Sequence, residues 1–257
     1  RALIMAAGAF MNFLLGFVVM VILIAAQSEP ITSRVIYAID DGALCGQTGL
    51  EAGDKVLAVN GRRCFVANDM LYELMRTEDY SARFTVLRGG KKVELPCVRF
   101  DTWQDDSGET HMSLGFTVYG IRKTPANVVK EAWNSVLYYG RIIFTSLMDL
   151  LRGRESINDL SGPVGIVTAI GQAASYGWQD LLQMLALITV NLGIFNLLPF
   201  PALDGGKVVF LLIEGVTGHA VPEKIQSGLT LAAFALFFGL MLFATYNDIV
   251  RLITGAV

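Results

Sequence analysis

The segment 196–206, NLLPFPALDGG, places a carboxylate among prolines and glycines directly after a long apolar run. Pro199 and Pro201 lack backbone donors and disfavour helix in the residues before them. The glycine pair 205–206 offers conformational freedom just after the carboxylate of Asp204. Helices that face lipid avoid all of these features. The segment therefore predicts an interrupted helix that turns one carboxylate inward at membrane depth.

An ionised Asp204 at that depth needs a metal ion, a proton or a cationic side chain. Lys207 is the nearest cationic residue in the sequence. Two interpretations follow from the residues alone. Asp204 either serves a chemical site, or it is a neutral or Lys-paired residue in a kinked helix.

The composition indicates a membrane protein, because 53% of the 257 residues are hydrophobic and only 17% are charged. Three blocks are nearly free of charge, residues 2–26, 181–213 and 227–246, and a helix needs about 20 residues to cross a bilayer. The formal net charge is −3, and the basic residues form no dense patch with interleaved aromatic residues. Nucleic acid is therefore not an expected partner.

This pattern predicts a membrane α-helical protein with three core transmembrane helices and an inserted α+β domain. The predicted segments are a transmembrane helix at 1–28, the α+β domain at 33–100, a linker region at 101–178 and the membrane core at 179–257. The first helix carries Asn12 near a group of small residues. One interpretation of Asn12 is a hydrogen bond between helices, which small residues allow to approach closely.

The α+β domain is predicted from short β-type runs that are separated by turn dipeptides and one helical stretch, NDMLYELMRT. Within it, GLEAGDKVLAVNG at 49–61 resembles the GL-x-x-GD-x-I-x-x-VNG core of PDZ domains. A PDZ-like domain implies β-augmentation, in which an extended peptide adds to an exposed strand edge. The alternative is a domain that only occludes access to the membrane part.

The linker region contains an apolar pattern and a Gly-rich stretch. Apolar residues recur at three and four positions after Pro125, which predicts an amphipathic helix at the membrane interface or packed on the domain. They are Val129, Ala132, Trp133, Val136, Leu137, Ile143, Phe144, Leu147 and Leu151. The stretch 160–177, LSGPVGIVTAIGQAASYG, predicts a re-entrant or surface-lying segment, and His111 reads as a surface residue.

The cysteines are Cys45, Cys64 and Cys97, and they form no C-x-x-C motif. Free thiols are expected, with a bridge between Cys64 and Cys97 as the alternative.

The spacing N-x-x-P-x-P-x-L-D-G-G resembles the signature of the site-2 protease family of intramembrane zinc metalloproteases. It is carried by Asn196, Pro199, Pro201, Leu203, Asp204, Gly205 and Gly206. AAGAFMNF at 6–13, which contains Asn12, and LSGPVGI at 160–166 are similar to further family segments. A PDZ-like insert is similar to that of the bacterial branch, so the resemblance covers nearly the whole chain.

The resemblance implies that Asp204 is the third protein ligand of a catalytic Zn²⁺ and that Asn196 hydrogen-bonds the substrate backbone. Three protein ligands leave a fourth position for water, whose pKa falls towards 7. The implied activity is cleavage of single-span membrane proteins, such as anti-sigma factors or signal-peptide remnants. The implied location is a bacterial inner membrane, with the PDZ-like domain outside the cytoplasm and a peptide terminus as its partner.

The chain departs from the family in one respect, because His-Glu-x-x-His is absent and its histidines are His111 and His219. In relatives that motif lies on an upstream helix. We therefore expect that Arg1 is not the natural start and that this chain alone binds zinc poorly and cleaves nothing. The alternatives are a non-catalytic membrane binding protein of the same fold, and a transporter or channel in which Asp204 binds an ion or proton.

Overall fold

This computed structural model describes residues 2–77, 79–106, 108–154 and 160–254. Arg1, Glu78, Ser107 and residues 155–159 and 255–257 belong to the predicted segments but lie outside the described residues. The chain divides into a membrane unit and a sheet unit. The membrane unit is Arg1–Leu23 with Tyr139–Val257, and the sheet unit is Ile24–Tyr138.

The helices and strands follow one another in this order along the chain: α1 (Ala2–Ala26), β1 (Ile31–Ile39), α2 (Leu44–Gln47), β2 (Lys55–Val59), β3 (Arg62–Arg63), α3 (Ala67–Met75), β4 (Ser81–Arg88), β5 (Lys91–Arg99), β6 (Asp101–Gln104), β7 (Thr110–Ser113), β8 (Phe116–Ile121), α4 (Pro125–Leu151), α5 (Pro163–Tyr176), α6 (Trp178–Leu197), α7 (Asp204–Thr217) and α8 (Glu223–Thr254).

Among the residues that the structure describes, three helices are long and apolar enough to cross a membrane, namely Ala7–Ala26, Trp178–Leu197 and Glu223–Thr254. They overlap the three charge-poor blocks, although the second span ends at Leu197 and the second block continues to residue 213. The prediction of three membrane-spanning helices and a separate sheet region is confirmed. The chain is an integral membrane protein. The apolar run after Asp204 does not continue the second span, since it forms the separate 14-residue helix α7.

The sheet unit contains an antiparallel sheet in the order β5-β4-β2-β1-β8, with β3 paired to β2. The predicted NG turn joins β2 to β3, where Asn60 and Gly61 have φ of 50° and 78°. Positive φ at both positions is typical of a two-residue hairpin turn. The sheet extends past the predicted limit at residue 100, because β8 pairs with β1. The α+β class is observed, and the PDZ-like identity stays a prediction.

A buried ion pair fixes the turn before β2. The Asp54 side chain is fully buried, and its two oxygens accept hydrogen bonds from Nε and Nη2 of Arg88, both at 2.7 Å. Asp54 also accepts from the backbone N–H of Glu51, and Arg88 donates to the carbonyl of Gly49. The GLEAGD segment is therefore held on β4 by one guanidinium group.

Helix α4 has two apolar faces, of which one is buried and the other exposed. Val128, Ala132, Val136 and Tyr139 are buried, whereas Val129, Trp133, Leu137, Phe144 and Leu151 are at least 38% exposed. Near its start, burial raises the pKa of Glu131 above 4.5, although the charge of Arg34 opposes this shift. The buried face agrees with packing on protein, and the position of the exposed face at a membrane interface stays a prediction.

None of the three cysteines forms a disulfide bond in the described structure, so the alternative of a Cys64–Cys97 bridge is wrong. Cys45 and Cys64 are buried, whereas Cys97 is exposed. Burial raises the pKa of the Cys45 thiol, which keeps it protonated and unreactive.

We expect Asp54→Ala to destabilise the sheet unit by about 3 kcal/mol, because it leaves the Arg88 guanidinium without its buried partner. Hydrogen exchange of the β2 and β4 amides in the whole chain measures this change. The matched control is Glu94→Ala, which removes an ion pair with Lys92 whose side chains are 63% and 67% exposed. The control is expected to cost less than about 1 kcal/mol. Equal effects of the two changes would contradict the structural role of Asp54.

Candidate metal and substrate site

The interruption between α6 and α7 lies where the prolines predict it. Helix α6 ends at Leu197, and Leu198 adopts an extended conformation with ψ of 143°, as expected of a residue before proline. Hydrogen bonds from Phe200 N–H to Leu198 O and from Leu203 N–H to Phe200 O close a compact loop. Asp204 then begins α7.

The glycine pair after Asp204 is required by close backbone approach. A Cβ atom on Gly205 would lie 2.3 Å from the carbonyl oxygen of Leu198, and one on Gly206 would lie 2.1 Å from that of Phe200. Neither glycine has positive φ. The expectation that conformational freedom explains this pair is therefore wrong. Its function is to let the first turn of α7 rest directly on the loop.

The Asp204 carboxylate is held at the N-terminus of α7, where the helix dipole favours negative charge. Its Oδ1 lies 3.2 Å from Nζ of Lys207, and the two side chains are 36% and 55% exposed. Its Oδ2 faces α1, because a Cβ atom on Gly8 would lie only 3.7 Å away. Lys207 thus pairs with one oxygen, while the other faces a position without a side chain.

Helix α8 contacts the proline loop through Thr230 and Phe237. The Thr230 hydroxyl donates to the carbonyl of Pro201 at 3.2 Å, and the rings of Phe200 and Phe237 lie 5.1 Å apart. A cleft of about 750 Å³ opens between α7 and α8. Lys207 lines this cleft, so the cleft reaches the cation that is paired with Asp204.

Asn196 and Asn12 lie on the two helices that pack beside this loop. Helices α1 and α6 approach closely at Gly16, where an added Cβ would lie 2.8 Å from Val190. Both asparagines are half-buried. The structure gives neither side chain a hydrogen bond within the described ranges. The hydrogen bond between helices that the sequence suggested for Asn12 is thus not formed among these residues.

Asp248 is a buried carboxylate whose role the sequence reasoning missed. It accepts backbone hydrogen bonds from Gly162 at 3.2 Å and from Gly165 at 2.7 Å, and it is 5% exposed. Asp248 on α8 therefore caps the N-terminus of α5. A Cβ on Gly162 would lie 2.7 Å from the backbone nitrogen of Thr245. Both glycines of the GPVG segment thus allow close packing on α8. In the sequence, Pro163 was the feature that indicated the start of this helix, because proline is favoured at the first helical position.

Side chains of the types that ligate metal ions gather in the sheet unit. The ligand atoms of Asp105, Glu109 and His111 lie within 4.8 Å of one another, because the β6–β7 hairpin brings them together. His111 Nε2 is 2.8 Å from Asp105, and both residues are partly exposed. The interpretation of His111 as an isolated surface residue therefore missed its two carboxylate neighbours. The second histidine, His219, bonds to the carbonyl of Thr217.

Comparison with known proteins shows which family this chain resembles. The chain matches the model of peptidase family M50 over residues 1–240. It is 34% identical to the zinc metalloprotease RasP of Geobacillus kaustophilus over 97% of this chain and 58% of the relative. It is 31% identical to the regulator of sigma-W protease RasP of Bacillus subtilis over 96% of this chain and 58% of the relative. The chain thus spans less than two thirds of the length of these relatives.

We expect Asp248→Ala to lower the stability of the membrane unit in detergent by about 2 kcal/mol, because two backbone donors at the start of α5 lose their acceptor. Asp248→Asn should cost less, since one oxygen acceptor remains. Thermal unfolding of the whole chain measures both changes. Glu223→Ala, which removes an exposed carboxylate from the first turn of α8, is the control. If Asp248→Ala behaved like this control, Asp248 would not be a helix cap.

Proposed function

The chain belongs to peptidase family M50, and from this premise we propose that it is the Asp204-bearing part of an intramembrane zinc metalloprotease. The observation that carries the proposal is the placement of Asp204. The Asp204 carboxylate lies at the interruption after a membrane-spanning helix. The next two residues, Gly205 and Gly206, contact the backbone of the proline loop so closely that neither position has room for a side chain. A membrane protein without chemistry at this position has little reason to keep such a costly group.

The residues present fit one ligand of a zinc site. Carboxylate oxygen is an ordinary zinc ligand, and Oδ2 of Asp204 faces the bare backbone of Gly8. Lys207 pairs with Oδ1 of Asp204, which leaves Oδ2 to a metal ion. We propose that two further ligands and a general base come from outside these 257 residues. When bound, zinc supplies a water nucleophile of lowered pKa.

The other residues of the loop are proposed to present the substrate. A peptide bond inside a helix is shielded by its own hydrogen bonds, so a cleavable segment must be extended near Asp204. The Asn196 amide, at the end of α6, offers one donor and one acceptor group to an extended backbone. Its lack of a hydrogen-bonding partner in the described part of the chain supports this role. The proposed substrates are single-span membrane proteins.

The sheet unit is proposed to bind an extended peptide at β8. The two edges of the sheet differ, because β5 carries Lys91, Lys92, Glu94 and Pro96, whereas β8 carries neither charge nor proline. Charges and proline protect an edge against strand addition. Exposed rings of Tyr37 and Tyr119 lie 4.7 Å apart beside β8. Strand addition at β8 supports a role in recruiting substrates.

The membrane location of the complete protein is proposed to be a bacterial inner membrane, with the sheet unit outside the cytoplasm. The exposed apolar face of α4 supports a position of this helix at the membrane interface. A second candidate function, a non-catalytic membrane protein that binds peptides, is favoured only by the open β8 edge.

We expect Asp204→Asn in the complete protein to lower cleavage of a single-span reporter below about one hundredth of the wild-type rate, because it removes a zinc ligand. Zinc content, measured by mass spectrometry of the purified protein, should fall with it. The control is Asp180→Asn, which alters an exposed carboxylate in the first turn of α6. Wild-type zinc content and turnover in Asp204→Asn would exclude Asp204 as a ligand.

We expect an added peptide with an apolar C-terminus to slow hydrogen exchange of the amides in β8 but not of those in β5, because β8, unlike β5, presents an edge without charge or proline. Exchange measured by mass spectrometry on the whole chain compares the two edges within one sample. Protection of β5, or of neither strand, would contradict the proposed binding edge.

A further inference from the structure

One face of α1 carries two glycines and an asparagine at intervals of four residues, Gly8, Asn12 and Gly16. Residues four apart lie on the same side of a helix. The outer two positions are fixed by their neighbours, because Gly16 packs on Val190 and Gly8 faces Asp204. Asn12 therefore lies on the face of α1 that is directed at α6 and the start of α7.

The two helices run in opposite directions along this contact. Gly16 of α1 packs on Val190, and the ring of Phe13, nearer the start of α1, packs on Gly193. Asn196 follows Gly193 by less than one turn of α6. Both amides thus fall in the interval between the close helix crossing and Asp204.

These amides lack the partners that such a position normally requires. A half-buried amide that makes no hydrogen bond loses free energy relative to an apolar residue. Neither the Asn12 nor the Asn196 side-chain amide forms a hydrogen bond with any residue in the described ranges, and the close approach of α1 to α6 is made at Gly16 and Gly193. An external ligand with both donors and acceptors accounts for the two residues better than helix packing does.

An extended peptide backbone has this chemistry. We infer that Asn12 is a positioning residue that binds the backbone of the substrate together with Asn196, on the strand that passes Asp204. The inference rests on the proposed protease function. Along α1, Gly8 and Asn12 are about 6 Å apart, and groups on the same edge of a strand repeat every two residues, about 6.6 Å. Asn12 therefore contacts the substrate about two residues from the scissile bond.

The test uses the complete protein and two single-span model substrates that differ only in the membrane segment. One segment is a regular Leu/Ala helix, and the other has a Gly-Pro pair at the cleavage site and is already unwound. Asn12→Leu should lower kcat/KM for the helical substrate about 10- to 100-fold and for the unwound substrate less than about threefold. Zinc content and Tm should not change.

The chain offers a matched control in Asn191→Leu, since Asn191 is an exposed asparagine earlier on α6. This control should cleave both substrates at nearly the wild-type rate. The role of Asn12 would be overturned if Asn12→Leu lowered kcat/KM equally for the two substrates. It would also be overturned if a lowered Tm explained the lower activity of this variant. Wild-type protein that cleaves neither substrate would instead overturn the protease function itself. If the wild type cleaves both substrates and Asn12→Leu cleaves them at the same rates as the control, the protease function stands and the inference fails.

A second variant covers the case in which Asn12→Leu does not fold. Asn12→Cys, combined with Asp204→Asn to stop cleavage, is crosslinked to substrates with single cysteines along the membrane segment. The crosslink should be strongest about two residues from the scissile bond. No crosslink at any position, with Asn196→Cys crosslinking in parallel, would contradict the inference.

Discussion

The close approach of two glycines to a proline loop determines where the carboxylate of the membrane unit stands. Gly205 and Gly206 leave no space between the first turn of α7 and the carbonyl groups of Leu198 and Phe200. Because Asp204 directly precedes this pair, its position depends on backbone contacts that cannot rearrange as side chains do. A metal ligand needs such preorganisation, since a small displacement of one oxygen weakens the whole coordination sphere. The support from Thr230 and Phe237 on α8 serves the same loop.

Local sequence chemistry predicted the elements that depend on neighbours in the chain. The prolines located the end of α6, the NG dipeptide located the β2–β3 turn, and charge-poor blocks located the three spans. What it missed depends on partners distant in sequence. β8 joins the sheet by pairing with β1, and Asp248 caps a helix that begins 85 positions earlier at Pro163. The motif glycines were misread for a related reason, because a composition pattern does not show what backbone lies opposite.

For the candidate site too, the sequence predicted individual residues but not their contacts with distant parts of the chain. Asp204 and Asn196 could be named from their motif, yet only the structure shows that Gly8 faces the carboxylate and that Asn12 shares its helical face. These relations arise from the crossing of α1 with α6, which depends on a glycine at position 16. The His111 cluster was overlooked because strand pairing, and not helical spacing, brings its carboxylates together. The proposed metal ligand Asp204 and the Asp105, Glu109 and His111 group thus belong to separate units.

The most direct test of the central claim is a zinc-edge anomalous diffraction map of the complete protein. If Asp204 is a catalytic ligand, the map will show a peak about 2.0–2.2 Å from one of its carboxylate oxygens, with Lys207 displaced from the pair. A peak only at Asp105, Glu109 and His111, with Asp204 still paired to Lys207, would contradict the assignment of Asp204 to the metal.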